Sequence, residues 1–100
     1  MSSVRARKLF YYKARQDRVI VEMVIWELAD PSAERSHGLK YRLYCGTEAG
    51  CVVRYDNETG KGDHRHYDDL EENYEFRSLE QLIDDFRQDC TRLAGWRWFE

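Results

Sequence analysis

The chain has 100 residues, of which 42% are hydrophobic and 35% charged, and its formal net charge is −3. These values indicate a single folded domain over residues 1–100 and argue against a disordered chain or a general polyanion binder. The three cysteines lack the CxxC spacing of zinc sites, and no apolar run approaches the length of a membrane span. The first residues also lack the apolar segment of a signal peptide, so we expect a cytoplasmic protein that does not bind membranes.

The first predicted elements are four strands. Residues 7–15 are rich in aromatic side chains and predict a strand, and residues 18–28 show the strongest strand pattern in the chain. Both faces of this second strand are largely apolar, interrupted by Glu22, which is typical of a central strand. Residues 39–45 alternate cleanly between apolar and polar, and a glycine-containing turn connects them to 51–56, which predicts a hairpin.

The last predicted elements are a short strand and a helix. Alternating aromatic residues predict a fifth strand over 73–78. Ser78 then occupies an N-cap position, and one apolar stripe continues from there to Gly95. The sequence therefore predicts an α+β fold: an antiparallel sheet of about five strands in a meander, with one C-terminal helix packed on one face. The aromatic tail that follows either packs over the sheet edge or forms a protein–protein contact.

The polar segment over residues 54–67 is the strongest candidate site. Two glycines flank Lys61, so the backbone there can approach a ligand closely and form an anion-binding concavity. In an extended segment, His64 and His66 point to one side and Asp63 to the other. A connection this long is often functional in a small domain, although an exposed polar loop is the alternative interpretation.

Two neighbouring imidazoles suit the cleavage of RNA without a metal ion. Histidine titrates near neutral pH, so one ring can take the proton of the 2′-hydroxyl while the other protonates the leaving 5′-oxygen. A cation stabilises the phosphorane, and a carboxylate can orient an imidazole. The predicted catalytic residues are His64, His66, Lys61, Asp63 and Asp56.

Two alternatives stay open for the same segment. His-x-His with Asp56 or Asp63 could hold a divalent ion. The neighbouring cations Lys61 and Arg65 oppose binding of another positive charge, so no metal or other cofactor is predicted. The second alternative is a non-enzymatic RNA-binding module. For the nuclease and for the binding module alike, the predicted contacts with RNA and its phosphates are Arg54, Arg65, Lys40, Arg42 and Tyr44.

Three runs of the sequence resemble one known protein family. The run VVRYDNETGKGDHRH, with HGLKYRL before it and YEFRSLEQLIDDFRQD after it, resembles the TumE family of small bacterial and archaeal toxins. The similarity extends from about Val21 to Asp89, and the tail TRLAGWRWFE is not matched. The residues that match the family core are Arg54, Tyr55, Asp56, Asn57, Lys61, Gly62, Asp63, His64, Arg65 and His66.

The resemblance implies a toxin of a type II toxin–antitoxin system. Such a toxin is encoded beside a helix-turn-helix antitoxin, which neutralises it by direct binding. By analogy with comparable small toxins, an RNA substrate and endoribonuclease activity are expected. The oligomeric state stays open, with a homodimer as one possible assembly.

Overall fold

The computed structural model describes residues 6–30, 35–58 and 62–99, which form one antiparallel sheet and one helix. The six strands neighbour each other in chain order, so the sheet is a meander. The predicted α+β class is confirmed, with six strands in place of about five. The strands are β1 (Ala6–Gln16), β2 (Val19–Leu28), β3 (Leu39–Thr47), β4 (Gly50–Asp56), β5 (His64–Tyr67) and β6 (Leu70–Asn73), and the helix is α1 (Leu79–Ala94).

One face of the sheet forms the hydrophobic core together with α1. Val21, Met23 and Ile25 alternate along β2 toward this face, and each is at most 2% exposed. Leu82 and Phe86 of α1 cover the face and are fully buried. Burial of each apolar side chain contributes roughly 1.5–3 kcal/mol, so this side of the sheet supplies most of the stability. The opposite side is thereby left available for polar side chains.

The segment between β4 and α1 differs from the sequence prediction. The predicted strand over 73–78 is wrong, because the chain instead forms a hairpin of β5 and β6 that ends at Asn73. The hairpin turns at Asp68, whose φ of 58° lies in the left-handed region that aspartate tolerates better than most residues. Most residues of β5 and β6 are charged or polar, so the apolar alternation that marks a strand is missing from both.

The aromatic residues after β6 pack on the core without pairing as a strand. Tyr74 packs edge-on against Tyr55, and its hydroxyl donates a hydrogen bond to Asp85 of α1 at 2.6 Å. Phe76 stacks on His37 with 3.9 Å between the ring centres. The alternation of Tyr74 and Phe76 therefore reflects two separate packing contacts of a connecting segment.

The helix α1 begins and ends at the predicted residues. The Ser78 side chain accepts a hydrogen bond from the N–H of Gln81 at 3.0 Å, which satisfies one of the free donors of the first turn. Gly95 adopts a φ of 70°, and the N–H groups of Gly95 and Trp96 bond to carbonyls of the last turn. Within the described ranges, no helix is long and apolar enough to cross a membrane.

The aromatic tail after α1 packs over the edge of the sheet. Trp96 is 1% exposed, and Trp98 lies against Tyr12 of β1 with 5.8 Å between ring centres. The side chain of Gln16 exchanges two hydrogen bonds with the backbone of Arg97. The tail thus joins β1 to the end of α1, as the first of the two sequence interpretations expected.

Candidate functional site

Four of the predicted site residues meet on the sheet face opposite α1. Arg54 and Asp56 point to this face from β4, and in the antiparallel register they lie opposite His66 and His64 of β5. Side chains directly opposite each other on adjacent strands have Cβ atoms about 4.5–5.5 Å apart, so the four form one group. We call these four residues the histidine cluster.

Asp56 is the buried carboxylate at the centre of the histidine cluster. The residue is 1% exposed, with Nε2 of His64 2.7 Å from its Oδ1 and Nε of Arg54 2.9 Å from its Oδ2. Both distances are short, but the angles fall outside hydrogen-bond geometry, so the Arg54 contact is an ion pair and the His64 contact is a close polar contact. A carboxylate with so little access to water needs such partners, because an unpaired buried charge is costly.

His64 is enclosed within the cluster. Its side chain is 4% exposed, and its Nδ1 lies 3.0 Å from the carbonyl oxygen of Gly62. A carbonyl oxygen can only accept, so Nδ1 carries a hydrogen. Nε2 faces Asp56, and a carboxylate oxygen of Glu71 lies 3.4 Å away. Both ring nitrogens therefore contact oxygen atoms of the protein itself in this conformation.

His66 is the more exposed imidazole and has a different protonation pattern. Its Nε2 lies 3.0 Å from Nη2 of Arg54, and a guanidinium can only donate, so this Nε2 carries no hydrogen. Burial lowers the pKa of His66 below the ordinary value of 6.5, and the positive charge of Arg54 lowers it further. The neutral form that a general base needs is therefore favoured near pH 7. The His64 and His66 rings meet edge to face, with centres 4.9 Å apart.

Strand β3 adds cations and aromatic rings to the same face. Arg42 lies opposite Asp56 in the register, and its guanidinium carbon is 5.2 Å from the ring centre of Tyr44. Nζ of Lys40 lies 5.3 Å from the ring centre of Trp26 on β2. Both cations are exposed. Cations interleaved with aromatic rings are a common means of holding single-stranded nucleic acid.

Two of the predicted site residues, Arg65 and Asp63, do not join this face. Arg65 points to the helix side, where its guanidinium packs against three tyrosine rings and pairs with a carboxylate of β6. Asp63 accepts hydrogen bonds from Nε2 of His37 at 3.0 Å and from the hydroxyl of Tyr41 at 2.7 Å, and so fixes the chain before β5. Lys61 lies outside the described residues.

Three side chains of the histidine cluster also have the chemistry of metal ligands. Ligand atoms of Asp56, His64 and His66 all lie within 4.8 Å of one another. Two histidines and one carboxylate form a known ligand set for divalent ions. Arg54 contacts two of the three residues, however, so a positive charge already lies beside the atoms that a metal ion would need.

The sequence model of a family described as Toxin TumE matches residues 2–94 of the chain. The chain belongs to this family. The match includes all six described strands and α1, and therefore the whole histidine cluster. No curated protein and no solved structure gives a significant match to the chain.

Membership of the TumE family makes the protein a toxin and implies an antitoxin partner. The family resemblance drawn from the sequence is confirmed, and the match begins about twenty residues earlier than the run Val21–Asp89. The family match does not assign roles to individual residues. The chemistry of the histidine cluster therefore has to be derived from its own geometry.

Two residues of this TumE toxin near the cluster were missed in the sequence. Glu71 lies opposite His66 in the register, but the charged pattern of β6 gave no signal of a strand. Trp26 lies within the apolar run of β2, and its side chain is on the outer face of that strand, beside Lys40 and on the cluster side. Its position next to the inward-facing Ile25 was the available signal.

Proposed function

We propose that this TumE toxin is a metal-independent endoribonuclease whose catalytic groups lie in the histidine cluster. The observation that carries the proposal is the contact of His64 and His66, 4.9 Å between ring centres, beside the guanidinium of Arg54. This combination offers two proton-transfer groups and one cation to a single phosphate. The exposed cations Lys40 and Arg42 on the same face suit an RNA backbone.

His66 acts as the general base in this proposal. It takes the proton of the 2′-hydroxyl, the freed oxygen attacks the adjacent phosphorus, and the bond to the 5′-oxygen breaks. The products are a 2′,3′-cyclic phosphate and a 5′-hydroxyl end. For this step Nε2 of His66 exchanges Arg54 for the hydroxyl, and the released guanidinium binds the phosphate oxygens and stabilises the phosphorane.

His64 donates the proton to the leaving 5′-oxygen. Asp56 holds the Nε2 side of the ring, so the proton leaves from Nδ1, which faces the Gly62 carbonyl before RNA binds. Donation therefore requires that Nδ1 exchange this carbonyl for the leaving oxygen. Asp56 positions the ring, as the carboxylate of a catalytic triad does.

The other predicted residues have supporting roles. Arg42 and Tyr44 extend the RNA face across β3, next to the histidine cluster. Lys61, between its two glycines, stays a proposed catalytic residue whose positive charge would bind the phosphate. Asp63 holds the chain that leads into β5 through its hydrogen bonds. Arg65, on the helix side, is not assigned a contact with RNA.

Incubation of the purified toxin with labelled RNA tests the proposal. Cleavage in EDTA is expected, with a loss of about 100-fold or more in His66→Ala and His64→Ala, the contribution of a positioned acid or base. Arg77→Ala is the control, because Arg77 is 70% exposed and lies just before α1, and it should cleave normally. Undiminished cleavage and growth arrest by both histidine variants would exclude the acid–base pair.

A metal-dependent nuclease is the second candidate, favoured by the ligand distances among Asp56, His64 and His66. The same assay separates the two mechanisms. Loss of cleavage in EDTA and its recovery with one divalent ion would replace the first mechanism with the second. RNA binding without cleavage under either condition would leave the non-enzymatic RNA-binding module.

The expected partners follow from the same proposal. A helix-turn-helix antitoxin neutralises the toxin by direct binding in the cytoplasm, where the RNA substrate is found. The outer edge of β1 pairs with no described strand, so a second copy could extend the sheet there and form a homodimer, the one assembly considered from the sequence. Light scattering of the purified toxin, which gives its mass in solution, tests this assembly.

A further inference from the structure

We infer that one unpaired base of the RNA substrate stacks on Trp26 in a pocket beside the histidine cluster, an inference that rests on the proposed RNA-directed function. The pocket has a volume of about 380 Å³, and Trp26, Lys40, Arg42, Asp56 and Glu58 are among the residues that line it. Cavities that bind small ligands have volumes of roughly 300–1,000 Å³, and this pocket lies within that range, with room for a single base.

Trp26 is a large aromatic residue that the hydrophobic core does not use. It belongs neither to the buried core nor to the partly buried side chains packed against it, and it stays partly exposed. The amino group of Lys40 lies 5.3 Å from its ring centre. The other two tryptophans, Trp96 and Trp98, are in contact with each other in the tail that closes over the core. Because Lys40 is exposed, a base can displace its amino group and stack on the indole, and such stacking accepts any base.

The lining of the pocket can hold the polar edge of a base as well as the phosphates beside it. Its charged residues are of both signs, and the exposed carboxylate of Glu58 can accept N–H groups from a neutral base. Lys40 and Arg42 line the same pocket and are exposed, so they can hold the phosphates on either side of the bound base.

The pocket is continuous with the proposed catalytic groups through Asp56. This residue lines the pocket and also contacts His64, and Arg42 lies opposite it in the register. A nucleotide with its base on Trp26 therefore has its phosphate directed toward Arg42 and Arg54. In a duplex the bases are paired and stacked, so the ligand must be single-stranded RNA or an unpaired loop.

Binding of a short, unstructured, fluorescently labelled RNA to the His66→Ala protein tests the inference, because this variant is expected to cleave its ligand about 100-fold or more slowly than the wild type. Trp26→Ala in that background should raise the Kd by about 5- to 150-fold, the effect of losing one stacked base. Trp26→Phe should raise the Kd by less, because an aromatic ring remains for the base to stack on. Phe99→Ala is the matched control, since Phe99 is an aromatic residue that is 78% exposed in the tail. The Kd of this control variant for the RNA should not change.

Abasic and duplex RNA complete the test. Both should bind more weakly than the unstructured RNA, and Trp26→Ala should not weaken them further. Equal binding of the unstructured RNA with and without Trp26 would overturn the inference, even if the wild-type toxin cleaves RNA as proposed. Trp26-dependent binding by a wild-type toxin that cleaves no RNA would keep the base pocket and overturn the nuclease. If no RNA binds to the protein, both the base pocket and the RNA-directed function are excluded.

Discussion

The carboxylate of Asp56 and the imidazole of His64 lie 2.7 Å apart, and their side chains are only 2% and 4% exposed. They face each other across β4 and β5 in direct register. This contact joins the β5–β6 hairpin to the rest of the sheet on a face that lacks a hydrophobic core. The histidine cluster therefore contributes to the fold as well as to the proposed chemistry.

Replacing Asp56 with asparagine should destabilise the protein. The substitution keeps the shape of the side chain but removes the negative charge that Arg54 and His64 share. We expect the free energy of unfolding to fall by about 3 kcal/mol, the lower end for a broken buried ion pair, because Arg54 is 28% exposed and can turn to water. Urea denaturation measures the change, and Asp69→Asn in the exposed turn is the control. Equal losses in the two variants would contradict this role of Asp56.

The lowered pKa of His66 predicts how cleavage depends on pH. Because burial and Arg54 lower this pKa below 6.5, the base form persists in mildly acidic solution, and the acidic limb of the cleavage profile should lie at a pH below 6.5. Arg54→Ala removes the positive charge and should move the pKa of His66 upward. An NMR titration of the His66 ring protons measures both values. A pKa that stays unchanged in Arg54→Ala would show that Arg54 does not control the base.

The lowered pKa of His66 should also make the stability of the protein depend on pH. The folded protein holds His66 at a lower pKa than the unfolded chain, so between the two values the unfolded chain binds more protons. The free energy of unfolding should therefore rise with pH across this window, and the contribution of His66 to it should be lost as the pH falls below 6.5. The pH dependence of urea denaturation should weaken in His66→Ala. An identical dependence in the variant and the wild type would assign the effect to other groups.

Much of the fold could be predicted from the sequence because the core strands and the helix carry strong apolar patterns. The alternation in β2 and β3 reports one buried face, and the Ser78 cap with the stripe of α1 reports a helix. The β5–β6 hairpin gave no such pattern. Its strands are instead paired with contacts between charged side chains, such as Arg65 with Glu72. An analysis of hydrophobic periodicity does not detect such contacts.

The candidate site could be predicted only in part for the same reason. Alternation alone placed His64 and His66 on one side of the chain. It could not decide whether Asp56 or Asp63 lies beside an imidazole, since that depends on the register between β4 and β5. The contact of Arg54 with His66 also follows from this register, and so was not available from the sequence.

A second buried carboxylate should stabilise the protein without affecting cleavage. Asp89 of α1 accepts hydrogen bonds from the hydroxyls of Tyr55 and Tyr67, and burial raises the pKa of both tyrosines, which keeps them as donors. Asp89→Ala should cost about 1–3 kcal/mol for each hydroxyl hydrogen left without an acceptor. Asp84→Ala is the control on an exposed part of the same helix. Thermal denaturation measures the loss, and cleavage at a temperature where both variants are folded should be unchanged. Loss of cleavage in folded Asp89→Ala would place part of the site on the helix side.

Arg54 and Arg65 should affect RNA binding differently, although both were predicted to contact phosphate. Arg54 lies in the histidine cluster, whereas Arg65 lies on the helix side, bonded to Glu72 and to the hydroxyl of Tyr55. Arg54→Ala should weaken RNA binding and reduce the slope of log Kd against log salt by about 0.7, the effect of one lost phosphate contact on a single strand. Arg65→Ala should leave that slope unchanged and lower the free energy of unfolding, since it removes contacts within the fold. Binding measured at several salt concentrations, in a background that does not cleave RNA, separates the two effects. A reduced salt slope in Arg65→Ala would show that RNA also contacts the helix side, as the sequence alone predicted.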